Sequence, residues 1–129
     1  MQLHTQLLGD ASKNVALWVR GEVTPLDTGP EELFSLDRFA PDARGKRPRT
    51  VMLVSALWTL QEKMGIRIWT APECKPEHLL LLMESRNFIR FDREMPLEKW
   101  GGIFYIEPFN VTEPKWFSFQ LEFDKAFER

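Results

Sequence analysis

The chain is poor in the residues that most often hold metals or form covalent bonds. Its 129 residues include a single cysteine, Cys74, and two histidines, His4 and His78. A single cysteine cannot form an intramolecular disulfide and cannot supply the ligands of a cysteine-rich zinc site. We therefore expect a reduced, cytoplasmic protein with no metal and no bound cofactor.

The sequence also lacks the motifs of the common enzyme classes. It contains no His-Glu-x-x-His, Gly-x-Ser-x-Gly, Gly-x-Gly-x-x-Gly or Gly-x-x-x-x-Gly-Lys-Ser/Thr sequence. Such motifs hold a catalytic metal, a serine nucleophile or a nucleotide phosphate. Cys74 and His78 do not replace them, because Pro76 lies between the two and a cysteine nucleophile usually takes its base from elsewhere in the fold. We expect no catalytic residues and a non-catalytic function.

Long apolar runs and an excess of one charge are absent as well. The longest nearly apolar run, residues 51–60, is about half the length that a bilayer requires. No basic segment followed by an apolar one opens the chain, so we expect no signal peptide and no membrane contact. The 17 basic and 19 acidic side chains give a net charge of −2 at pH 7, which argues against general binding of nucleic acid.

Aromatic residues, in contrast, are abundant, and they mark the clearest element of the sequence. Ten Phe and five Trp stand against a single Tyr. In residues 116–124, Phe117, Phe119, Leu121 and Phe123 alternate with Trp116, Ser118, Gln120, Glu122 and Asp124. Strict alternation predicts a strand with one side on the core and one side in water.

The remaining patterns predict an α+β fold in one domain, residues 1–129. Alternation predicts an N-terminal hairpin (3–7 and 15–23) and further strands at 66–70, 88–92 and 102–107. Proline near a first turn, or apolar stripes at helical spacing, predict helices at 31–39, 51–64 and 76–83. The order ββααβαβββ implies two layers: a mainly antiparallel sheet of about five to six strands with helices packed on one face. Residues 66–70 and 88–92 are candidates for one parallel crossover.

A candidate partner-binding surface follows if the last three strands form a meander. Its aromatic members are Trp116 and Tyr105, extended by Trp100 in the preceding loop. Its polar members are Arg90, Glu107, Gln120 and Glu122. Aromatic side chains ringed by hydrogen-bonding groups are typical of protein interfaces. We therefore expect another protein as the partner, as in toxin-neutralising immunity proteins or phage and mobile-element accessory proteins, which share this size, acidity and lack of motifs.

Two other functions stay open. Arg44, Lys46, Arg47 and Arg49 form a basic loop before the helix expected at Thr50, where a phosphate ligand or nucleic acid would find free backbone N–H groups. Clustered carboxylates at Glu107, Glu122 and Asp124 would suit a small enzyme. The sequence also leaves monomer and homodimer open, because the last strand could pair with a copy of itself if it ended the sheet.

Overall fold

The computed structural model describes residues 1–10, 13–27, 29–84, 87–96 and 102–127, of which 49–50, 87–96 and 126–127 are described by their backbone alone. These residues form nine strands and two short 3₁₀ turns, at Leu36–Arg38 and Pro76–His78. The strands, numbered along the chain, are Gln2–Leu8 (β1), Asn14–Val23 (β2), Glu31–Ser35 (β3), Pro48–Leu60 (β4), Gly65–Trp69 (β5), Leu79–Glu84 (β6), Asn87–Pro96 (β7), Ile103–Phe109 (β8) and Lys115–Phe127 (β9).

The strands build two antiparallel sheets that face each other. One has the order β1-β2-β9-β4-β7 and the other β3-β8-β5-β6. The rings of Phe104 on β8 and Phe123 on β9 stack between the sheets, with their centroids 5.5 Å apart. Because both inner faces contribute to one buried hydrophobic cluster, the architecture is a two-sheet β-sandwich.

The alternation in β9 determines which side of the central strand is buried. Phe117, Phe119, Leu121 and Phe123 are all at most 2% exposed, and Trp116 on the opposite parity is 48% exposed. This confirms the orientation that the sequence predicts for the last strand. The N-terminal hairpin is also present, with β1 and β2 paired without a register shift from Gln2 to Leu8.

The predicted α+β fold is wrong, because none of the three expected α-helices forms. Residues 31–39 become β3 and a single 3₁₀ turn, and residues 76–83 become a 3₁₀ turn and β6. Pro76 does begin a helical turn, but that turn ends after three residues. The leucine run Leu79–Leu82 carries no alternation, so its sequence is equally compatible with a buried helix and a buried strand.

A β-bulge explains why β4 resembles a helix in sequence. The register of β4 shifts between Leu53 and Ser55 against both neighbouring strands, and against β9 this shift leaves Val54 as the extra residue. The buried apolar positions therefore run 51, 53, 56, 58 and 60. That spacing breaks strict alternation, and the apolar residues left around it imitate the two stripes of a helix.

The meander on which the candidate partner-binding surface depends is also absent. The last three strands do not form a meander, because β8 belongs to the four-stranded sheet whereas β7 and β9 flank β4 in the other. The candidate crossover fails for a related reason, since β5 and β7 lie in different sheets. β9 is the central strand of its sheet, so it has no free edge through which to pair with a copy.

A buried ion pair lies near the C-terminal end of β9. Lys125 has the inward parity of β9 and is 1% exposed. Its Nζ lies 2.7 Å from Oδ1 of Asp10 and donates to the carbonyl oxygens of Asp10 and Ala40. The carboxylate of Asp10 in turn accepts the Ala40 N–H at 3.0 Å. This cluster joins the turn after β1, through Asp10, to the segment before β4, through Ala40.

Candidate partner-binding face

The predicted partner-binding residues lie on two surfaces that point in opposite directions. Trp116, Gln120 and Glu122 are on the outer face of the five-stranded sheet, whereas Tyr105 and Glu107 are on the outer face of the four-stranded sheet. The single surface expected from a C-terminal meander is therefore not formed.

Two further members of that set cannot be assigned to a surface by their side chains. Arg90 pairs with Ser55 at the β7 end of the five-stranded sheet, and only its backbone is described. Trp100 lies outside the described residues.

The outer face of the five-stranded sheet carries a cluster that we call the tryptophan face: Trp18, Leu57, Trp116, Ser118 and Gln120. The strand register brings these residues together, because Trp18 of β2 and Leu57 of β4 both pair with Gln120 of β9. One row further along β9, Ser118 separates Gln120 from Trp116. Three large apolar side chains thus lie around the polar Ser118 and Gln120.

The tryptophan face differs from an ordinary solvent-exposed sheet surface because its large apolar side chains are exposed. The side chains of Leu57 and Trp116 are 51% and 48% exposed. Trp18 is half-buried, and the guanidinium of Arg20 lies 5.7 Å from its ring centroid. A cation over an indole face orients the ring and leaves its other face available.

Two of these side chains, Trp18 and Leu57, are not predicted as part of a binding surface from the sequence, for different reasons. Trp18 shares a parity with Arg20 and Glu22, so its outward position was predictable, but nothing placed β2 beside β9. Leu57 lies on the apolar stripe that predicts a helix over residues 51–64, and that helix would place it in the core. In the strand it has the parity opposite to the buried Ala56 and Trp58.

Trp116 borders an open groove at one end of the face. The groove has a volume of about 640 Å³ and is lined by Gln2, Arg20, Gly21, Glu22 and Trp116. A smaller depression of about 100 Å³ lies between Trp18, Leu57 and Gln120. The backbone under Trp116 is held by a hydrogen bond, since its N–H donates to Oε1 of Gln61 at 2.8 Å.

The charged side chains described on this face are mainly acidic. Arg20 is the base, and Glu22, Glu122 and Asp124 are the acids. Two of the acids have hydrogen-bond donors: Ser55 Oγ lies 2.7 Å from Glu122 Oε2, and Asn14 Nδ2 lies 2.8 Å from Asp124 Oδ1. Both carboxylates thus accept hydrogen bonds from side chains on the neighbouring strands.

On the outer face of the four-stranded sheet, the charged side chains Arg67 and Glu107 bond to each other. Arg67 donates to Oε1 of Glu107 at 3.3 Å, and its guanidinium lies 4.0 Å from the ring centroid of Phe109. Trp69 pairs with Tyr105 in the register and is only 8% exposed. Its indole N–H is buried and has no hydrogen-bond partner among the described residues.

Cys74 does not form a dyad with a histidine in this structure. Nδ1 of His78 accepts the backbone N–H of Lys75 at 3.3 Å, and Sγ of Cys74 lies 4.0 Å from the carbonyl oxygen of Ala71. Burial raises the pKa of the Cys74 thiol, and the negative charges of Glu107 and Glu73 raise it further. A raised pKa reduces the thiolate fraction, so the thiol is a poor nucleophile near neutral pH.

The basic loop does not precede a helix. Thr50 lies inside β4, so the expected helix N-terminus is absent and with it the reason for placing an anion there. One carboxylate oxygen of Asp42 accepts the N–H groups of Arg44 and Lys46, both at 2.9 Å. Arg47 donates to the carbonyl of Asp37, and the side chain of Arg49 is not described.

The carboxylates expected to cluster lie on two sheets, with Glu107 on one and Glu122 and Asp124 on the other. Within the described ranges, no group of three or more His, Cys, Asp or Glu side chains is placed to hold a metal ion. The same residues include no helix of the length and apolar character that would cross a membrane. Comparison of the chain with family models, curated proteins and solved structures finds no match.

Proposed function

We propose that this protein binds another protein through the tryptophan face, by covering part of the partner's surface rather than by catalysis. The observation that carries the proposal is the exposure of Leu57 and Trp116 on the outer face of a sheet that already has a well-packed inner face. Large apolar side chains grouped on a folded surface, with polar groups around them, are typical of protein interfaces.

The shape and charge of the face favour a macromolecule with a basic rim. The groove beside Trp116 is open, whereas sites for small ligands usually enclose most of the ligand. Among the side chains that the structure describes on this face, three acids stand against one base, which favours basic protein surfaces over phosphate backbones. A cytoplasmic location and the immunity or mobile-element accessory type remain part of this proposal.

A capture experiment with matched variants tests the proposal. The wild type, Leu57→Ser, Trp116→Ala and Leu82→Ser are immobilised, and proteins retained from the native host are quantified. Leu82 is the control because it is 43% exposed on the outer face of the other sheet. We expect one protein to be retained by the wild type and by Leu82→Ser but lost from the other two.

Calorimetric titration with that purified protein then gives the affinities. Removing an interface residue that carries much of the binding energy costs 2 kcal/mol or more, so we expect Kd to rise at least about thirtyfold for Trp116→Ala. Equal affinities for the wild type, Leu57→Ser and Trp116→Ala would exclude the tryptophan face. A loss confined to Leu82→Ser would move the binding site to the other sheet.

A further inference from the structure

β1 is an edge strand that lacks the usual protection against pairing. It bonds to β2 on one side, and no other described strand pairs with its second side. Natural edge strands carry charged residues, proline or a bulge that prevent contact with another edge. The seven residues of β1, QLHTQLL, include no charged residue, no proline and no glycine, and its register has no irregularity.

The other sheet edges among the described residues are protected. β3 contains Glu31 and Glu32 and a register shift, and β7 ends in Pro96 with a shift against β4. β6 ends in Glu84 and is irregular opposite Trp69. β1 alone combines length, regularity and the absence of charge.

The pattern of β1 is symmetric about Thr5. Two positions away on either side, Leu3 and Leu7 are half-buried and pack against the edge of the core. One position away on either side, His4 and Gln6 are exposed on the outer face. Antiparallel pairing of two such strands centred on Thr5 would place Leu3 opposite Leu7, and His4 opposite Gln6, of the second copy.

We propose that two copies of this chain pair through their β1 strands, antiparallel and centred on Thr5, to form one continuous ten-stranded sheet. The pairing supplies hydrogen-bond partners for the free backbone groups of β1 and covers the exposed parts of Leu3 and Leu7. Arg38 reaches this strand from the inner side, where it donates to the side-chain Oγ1 of Thr5 at 3.2 Å.

Because His4 of one copy would lie opposite Gln6 of the other, substitutions at these two positions can either weaken or strengthen the proposed dimer. His4→Lys with Gln6→Lys places lysine opposite lysine at two positions per dimer. His4→Lys with Gln6→Glu places lysine opposite glutamate at the same two positions. Both variants change the same two exposed side chains, so the fold of one chain should tolerate them equally, and equal melting temperatures confirm this.

Sedimentation velocity over a concentration series measures the dimer. We expect the wild type to reach twice the mass of one chain, the double-lysine variant to dimerise about tenfold more weakly, and the lysine–glutamate variant at least as tightly as the wild type. A wild type that stays monomeric at every concentration would overturn the proposal. A dimer that both variants leave unchanged would show that another surface forms it, and the function proposed for the tryptophan face would still stand.

Discussion

The outer faces of the two sheets use similar residues in different ways. On the four-stranded sheet, Arg67 pairs with Glu107 and covers Phe109, and Trp69 is almost fully buried. On the five-stranded sheet, Trp116 and Leu57 remain about half exposed. The first face buries its tryptophan almost completely, whereas the second leaves a tryptophan about half exposed.

This difference shows that an outward tryptophan is not by itself a binding residue. Trp69 and Trp116 both have the outward parity of their strands, yet one stabilises the chain and the other is available to a partner. What separates them is exposure, since Trp69 is 8% exposed and Trp116 is 48% exposed. The following substitutions test that separation.

The largest contrast is expected between the two tryptophans. Trp69→Ala should reduce the free energy of unfolding by roughly 3–5 kcal/mol, because it removes a buried ring. Trp116→Ala should reduce it by less than about 1 kcal/mol, because half of the side chain already contacts water. Urea unfolding measures both. Similar losses for the two variants would show that Trp116 belongs to the packed structure and would remove the basis of the proposed face.

A second contrast compares two lysines on one strand. Lys125→Met should reduce the free energy of unfolding by about 3 kcal/mol, because it leaves Asp10 without its counter-ion. This value is at the low end for buried pairs, because the Asp10 side chain is 24% exposed. Lys115 pairs with Glu113, whose side chain is 68% exposed, so Lys115→Met should cost about 0.5 kcal/mol or less. Chemical denaturation of both variants tests this, and equal costs would contradict the burial of Lys125.

Substitutions at two glycines compare a ring on an inner face with a ring on an outer face. A Cβ on Gly21 would lie 2.3 Å from the ring of Phe117, which is fully buried, and one on Gly65 would lie 2.1 Å from the ring of Phe109, which is not. Gly21→Ala should therefore cost about 2–3 kcal/mol, and Gly65→Ala about 1 kcal/mol, because Phe109 can move towards solvent. Thermal unfolding of the two variants measures both costs. A larger cost for Gly65→Ala would mean that the ring of Phe109 is held as firmly as the ring of Phe117.

The smallest effect is expected at Cys74 and concerns reactivity, not stability. Because burial and neighbouring acids raise its pKa, the thiolate fraction at pH 8 is lower than that of an unperturbed cysteine. Alkylation by iodoacetamide should be slower than in the urea-unfolded chain at pH 8, and the two rates should converge as the pH rises through the raised pKa. Equal rates at pH 8 would contradict the burial of this thiol beside Glu107.

Local patterns predicted individual strands better than they predicted the fold. The alternation of β9 and the N-terminal hairpin were recognisable because each depends on neighbours in sequence. β4 was not, because its bulge at Val54 disrupts the alternation, and β6 was not, because a leucine run has no period. The candidate site suffered from the same limit: Trp116, Gln120 and Glu122 were grouped correctly, but Tyr105 and Glu107 were joined to them by a strand order that does not exist.

Sequence alone determined which side of β9 is buried, because side chains on a strand alternate and apolar groups leave water wherever the strand is placed. It also determined that Trp116 faces the other way. Only the tertiary structure decided that Trp18 and Leu57 stand beside Gln120, since β9 pairs with strands that begin about a hundred and about seventy residues earlier. Those pairings are made by backbone groups that every residue carries, so no local pattern of side chains specifies them.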